Sequence, residues 1–67
     1  MTIIYNDIPT TLPSDNMTLS DLATWKKIPA QGSAIAINDK LVKRDKWTVT
    51  KLNELDHVTV ITAAYGG

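Results

Sequence analysis

Apolar residues recur along this chain with two different periods. In the opening stretch "TIIYND", Ile3 and Tyr5 alternate with Ile4. That two-residue period belongs to a strand, with Ile3 and Tyr5 on one face and Ile4 on the other. In "DIPTTLP", Pro9 and Pro13 have no N–H to give to a ladder, so a second strand there is short and lies at an edge. The period then changes in "MTLSDLATWKKI", where Leu19, Leu22 and Ala23 stand at i, i+3 and i+4. This is a helical stripe, which Trp25 or Ile28 extends imperfectly. Thr18 and Asp21 have the spacing of a capping box. Asp21 in the first turn and Lys26 with Lys27 in the last suit the helix dipole. Pro29 is expected to end the run.

Alternation returns in "GSAIAIND", with Ile35 and Ile37 on one side and Ala34 and Ala36 on the other. Asn38-Asp39 can take the left-handed angles of a tight hairpin turn, and "KLVK" is the returning strand. "RDKW" predicts a short turn that sets Trp47 against the core. "VTKLNELD" has no regular period, while "HVTVITAAY" is a strand of strong β propensity, with Asp56 capping the turn that leads into it. The order is strand, weak strand, helix, strand, strand, strand. A helix between the first hairpin and the later strands acts as a right-handed crossover. It lets the first and last strands run parallel while it covers one sheet face. The expected class is α+β with a β-grasp (ubiquitin-like) architecture: a mixed four- to five-stranded sheet with one helix packed on one face. Ile3, Tyr5, Ile35, Ile37, Val58 and Val60 then face the helix, and Ile4, Ala36 and Ile61 face away. Apolar residues grouped on an open sheet face are a candidate partner-docking patch.

Composition narrows the functional classes. Sixty-seven residues make one domain. The absence of cysteine excludes disulfides, thiolate metal sites and a cysteine nucleophile. The chain must fold on its hydrophobic core alone, and it suits a reducing cytoplasm. No apolar run approaches the ~20 residues that span a bilayer, and "MTIIYND" lacks the pattern of a signal peptide. A cytoplasmic protein without membrane attachment is expected. Formal net charge is zero, which disfavours a general nucleic-acid role. Residues 26–51 nevertheless hold seven bases against two acids. Lys43 and Arg44 in that stretch are either a solvated surface or a docking face for an acidic partner.

Enzymatic chemistry needs a constellation, and this sequence supplies none. His57 is the single histidine and the three glycines form no phosphate loop. Asp39, Asp45, Glu54 and Asp56 fall in turns, with no acid-rich loop for calcium. Neither catalysis nor a bound metal or cofactor is expected.

The notable chemistry lies in "AAYGG". Without Cβ atoms, Gly66 and Gly67 can thread a narrow channel and present the Gly67 α-carboxylate to another protein's active site. Activated as an adenylate, that carboxylate would let a nucleophile such as sulfide replace oxygen. Residues 1–64 are expected to form the domain. Residues 65–67 form a tail that is mobile when free, with Ala64, Tyr65 and Gly66 presenting it for recognition.

The segments "IIYND", "GSAIAIND" and "LVKRDKW", the T-x-x-D-L helix start and the terminal "GG" together resemble the ThiS sulfur carriers of thiamine biosynthesis. The resemblance implies that an E1-like adenylyltransferase (ThiF type) uses ATP and magnesium to adenylate Gly67. A sulfurtransferase chain, fed by a cysteine desulfurase, would convert it to a thiocarboxylate. Thiazole synthase (ThiG type) would then take the sulfur. Gly66 and Gly67 match the family's functional pair, and the carrier itself performs no catalysis. Other readings are a carrier for molybdopterin or another metabolite, a ubiquitin-like protein modifier, and an interaction module in which Gly-Gly is incidental. The chain departs from the family at Leu55-Asp56, where members often have Gly-Asp, and at Tyr65, which is bulkier than usual.

Overall fold

The computed structural model describes residues 1–29 and 31–62. The predicted boundary between body and tail therefore lies outside the described residues. The chain folds into strands β1 (Thr2–Tyr5) and β2 (Ile8–Thr11), helix α1 (Leu19–Trp25), strands β3 (Ser33–Ile37) and β4 (Lys40–Val42), a 3₁₀ helix (Arg44–Val49) and strand β5 (His57–Thr62). The five strands form one mixed sheet in the order β2-β1-β5-β3-β4. The first and last strands pair in parallel, as the helical crossover requires. All other pairings are antiparallel. The proline-bearing β2 is short and at an edge, as its missing N–H dictates.

The helix begins where its side chains say it should. Thr18 Oγ1 accepts from the Asp21 N–H at 3.2 Å, and Asp21 Oδ2 accepts from the Thr18 N–H at 2.9 Å. Two otherwise orphaned donors are thus satisfied reciprocally.

Its end differs from expectation. Pro29 does not stop the helix, which closes at Trp25. Lys27 adopts φ 55°, the Lys27 N–H donates to the Thr24 carbonyl, and the Ile28 N–H donates to Ala23 at 2.8 Å. This is a Schellman closure with lysine in the left-handed position usually held by glycine. Lys26 and Lys27 consequently lie just past the last turn rather than within it.

The alternation predicted for the strands decides the core. Ile3, Ile35 and Val58 from the sheet meet Leu19 and Leu22 from the helix, all fully buried. Each such side chain contributes about 1.5–3 kcal/mol through the water it leaves. Leu12, Met17, Trp47 and Leu52 enlarge this cluster, with Ile37, Val60 and Tyr5 packed at its margin. Trp25 stays 42% exposed, so it does not extend the buried stripe, whereas Ile28 is half-buried.

"RDKW" forms more than a turn. It opens a 3₁₀ helix running to Val49, which places the Trp47 indole to donate from Nε1 to the Val42 carbonyl at 3.1 Å. The stretch expected to be irregular is also tied down. The Leu19 N–H donates to Thr50 and the Leu52 N–H to Met17, joining the approach to β5 with the start of the helix.

Candidate functional site

β5 is the central strand and carries the chain toward residues 63–67. Its neighbours end in matching two-residue turns. Asn6-Asp7 joins β1 to β2 with φ 47° and 68°, and Asn38-Asp39 joins β3 to β4 with φ 50° and 70°. Positive φ at both central positions is the type I′ geometry whose twist suits a hairpin, and asparagine and aspartate tolerate it better than most residues.

Each turn asparagine also grips β5. At the strand's start, the Asn38 N–H donates to the His57 carbonyl at 2.8 Å, and Asn38 Oδ1 accepts from the His57 N–H at 3.0 Å. Farther along, the Asn6 N–H donates to the Val58 carbonyl at 2.9 Å, and Asn6 Oδ1 accepts from the Val60 N–H at 2.7 Å. Asp56, only 8% exposed, completes the first grip. Its Oδ1 accepts from Asn38 Nδ2 at 3.0 Å and its Oδ2 from the Asn53 N–H at 2.8 Å. The predicted capping role of Asp56 is therefore present and extends across to the β3–β4 turn. A buried carboxylate is tolerable here because donors meet both of its oxygens. The residue before it, Leu55, adopts φ 63° with its side chain exposed. That is the position where the family resemblance leads one to expect glycine.

The sheet face turned away from the helix collects the predicted patch. Ile4 pairs with His57, Ala36 with Thr59 and Ala34 with Ile61. Ile4 and Ala36 thus flank β5 on the face that displays Ile61, which is 65% exposed. Leu41, opposite Ala36 and 70% exposed, belongs to the same face. Sequence reasoning did not include Leu41, although the two-residue Asn-Asp turn fixes its register against Ala36. Lys43 and Arg44 are exposed just beyond β4, at the sheet edge, where Lys43 caps the 3₁₀ helix. His57 is exposed and engages through its backbone. On the opposite face, Lys26 Nζ lies 4.9 Å from the Tyr5 ring centre and 5.0 Å from that of Trp25, within cation–π range of both. Ala64, Tyr65, Gly66 and Gly67 lie outside the described residues.

The model of the ThiS family matches residues 3–67. The chain belongs to the ThiS family. It is thereby placed among the sulfur carriers of thiamine biosynthesis.

Solved structures of a ThiS-family protein agree on the fold. A crystal structure of a thiamine biosynthesis protein (ThiS) from Geobacter metallireducens superposes with a TM-score of 0.86 at 20% identity, over 100% of both chains. A solution NMR structure of a thiamine biosynthesis protein from the same organism gives 0.85 at 20% identity, covering 100% of this chain and 88% of the other. No curated protein sequence matches. The ThiS-family fold therefore persists with four residues in five changed.

Proposed function

We propose that this chain is the sulfur donor for thiazole formation and that its reactive atom is the carboxyl carbon of Gly67. In this reading a Gly67 carboxylate oxygen attacks the α-phosphate of ATP in the site of an E1-like adenylyltransferase of ThiF type, and pyrophosphate leaves. Magnesium there offsets the phosphate charge. The terminal sulfur of a sulfurtransferase persulfide, drawn ultimately from cysteine by a desulfurase, attacks the acyl carbon and AMP departs. A second thiol then cleaves the resulting acyl disulfide, leaving a thiocarboxylate and a disulfide on the sulfurtransferase. Thiazole synthase of ThiG type accepts that sulfur. The carrier supplies no catalytic group and no bound cofactor, and it works in the cytoplasm.

The observation that supports this reading is the family match running through Gly67, the residue at which the chemistry is assigned. Glycine suits the position because a side chain would hinder both entry to a narrow channel and attack at the carbonyl. Ala64, Tyr65 and Gly66 form the segment the activating enzyme grips. The open sheet face with Ile4, Ala36 and Ile61 docks the partner body, and Lys43 with Arg44 adds a basic margin. Ile61 is exposed and Ile4 and Ala36 are half-buried beside it, and apolar side chains grouped on one open face are characteristic of protein contact.

The test is growth without thiamine in cells that lack their own carrier for thiazole synthesis. The intact chain should restore growth, and the chain without Gly67 should not. Equal rescue by both would overturn the reading. Ile61→Asp should weaken binding to the adenylating partner at least tenfold while leaving the fold intact, and unchanged binding would remove the sheet face from the docking site. Unchanged binding after charge reversal at Lys43 and Arg44 would likewise remove the basic margin.

A further inference from the structure

β1 ends before the strand it supports does. Its pairing with β5 stops at Tyr5 opposite Val58, whereas β5 continues to Thr62. On the other side, β3 pairs with β5 all the way to Thr62. Among the described residues, the last rungs of β5 are held on the β1 side by one side chain. Asn6, turned into the left-handed region at φ 47°, places Oδ1 2.7 Å from the Val60 nitrogen. A side-chain amide thus takes the position a backbone carbonyl would hold if β1 were longer. Val60 is the last residue of β5 packed against the core, and two residues later the described chain ends at Thr62.

We infer that Asn6 is a positioning residue: its side chain fixes the path by which the chain leaves β5 toward residues 63–67. It thereby sets the direction of β5 at Thr62 relative to the Ile61 face. The functional half of this inference rests on the carrier reading; the strand-holding half does not. The physical basis is geometric. A strand held on both sides keeps its direction, and losing one hold lowers the fraction of molecules arranged for binding, which raises KM in proportion and leaves kcat nearly unchanged. Asn38 makes the same pair of contacts at the opposite end of β5. That position is distant from the exit and serves as an internal control.

Three variants separate the contributions. Asn6→Gly keeps the positive φ and removes the acceptor. Asn6→Asp keeps both, since a carboxylate oxygen accepts from the Val60 N–H equally well. Asn38→Gly removes the corresponding acceptor at the strand's start. Amide exchange in the isolated protein should show Val60 exchanging about tenfold faster in Asn6→Gly and near its original rate in Asn6→Asp. In the adenylation assay, Asn6→Gly should raise the KM for the carrier about fivefold with kcat nearly unchanged. Asn6→Asp should restore it, and Asn38→Gly, measured where it is fully folded, should not raise it.

Unchanged Val60 exchange in Asn6→Gly would overturn the inference at its base. Faster exchange with an unaltered KM would overturn the positioning role. If the unmodified chain is not adenylated by an activator proven on its own carrier, the carrier reading fails, and the exchange data still decide whether Asn6 holds the strand.

Discussion

Two hairpin turns in this molecule share a dipeptide and a geometry, yet they serve different ends of the same strand. Asn6-Asp7 and Asn38-Asp39 both take positive φ at their two central residues, and both asparagines clamp β5 through one N–H and one Oδ1. The difference lies in what stands behind each. The Asn38 amide is itself held by the buried Asp56 carboxylate, which also caps the turn at Asn53. The clamp contacts of both asparagines on β5 are themselves exposed, and it is the part-buried Asp56 contacts behind Asn38 that differ. Burial of Asp56 makes the network behind the first clamp a determinant of stability, because a donor left unpaired there is poorly reached by water. Among the described residues Asn6 has no such backing, which makes the second clamp a weaker contributor to stability, suited to holding the strand near its exit.

The largest effect that could break this comparison is at Asp56. Asp56→Ala orphans the Asn53 N–H and Asn38 Nδ2, and should lower stability by about 3 kcal/mol. In a domain of this size that is roughly 15 °C in Tm, measurable by thermal unfolding. Asn38→Ala loses both Oδ1 and the tolerance for positive φ, and should lower stability by about 2 kcal/mol. Asn6→Ala faces the same backbone penalty without the buried network, and about 1 kcal/mol is expected. Equal losses at Asn6 and Asn38 would mean that the buried network contributes nothing beyond the turn itself.

Leu55→Gly sharpens the picture from the opposite direction. The side chain is exposed and the backbone sits at φ 63°, where a Cβ is strained, so glycine should stabilise by about 1 kcal/mol. A loss of stability would place the value of Leu55 in its side chain instead.

The smallest effect concerns the Met1 ammonium, which is paired with Asp15. The hydrogen bond to Asp15 raises its pKa above the usual 8.0; desolvation opposes this, and the nearby negative charges of Asp15 and Glu54 add to the rise. A group whose folded pKa is raised contributes stability fully below its unfolded pKa and loses it as pH rises through the folded value. Tm should therefore fall slightly as pH rises beyond 8, and Asp15→Asn should flatten that dependence.

What was legible in the sequence was local. The Thr18–Asp21 capping box is a contact across three residues, and the alternation around Ile35, Ile37, Val58 and Val60 reports faces directly. The parallel pairing of β1 and β5 followed from placing one helix between two sets of strands. Three features escaped because they depend on long-range partners or on strain. Lys27 ends the helix in a conformation that lysine does not advertise, held by hydrogen bonds to Ala23 and Thr24. The grip of Asn6 on Val60 spans 54 residues. The ties from Thr50 and Leu52 to the helix start exist only once the core has formed. Ile4, Ala36 and Ile61 share the sheet face that the two-residue period predicts for them, whereas Leu41 needed the hairpin register. The role of Gly67 was drawn from the terminal Gly-Gly and the family resemblance, because nothing in a glycine's packing announces a reactive carboxylate.

The most direct measurement uses the absence of cysteine in this chain. After incubation with ATP, a ThiF-type activator and a sulfur donor, the protein is treated with a thiol-selective alkylating reagent and its intact mass is recorded. With no native thiol to react, one added label that disappears on omission of ATP or deletion of Gly67 is the predicted result. No label, with an activator shown to be competent on its own carrier, would contradict the assignment of sulfur chemistry to Gly67.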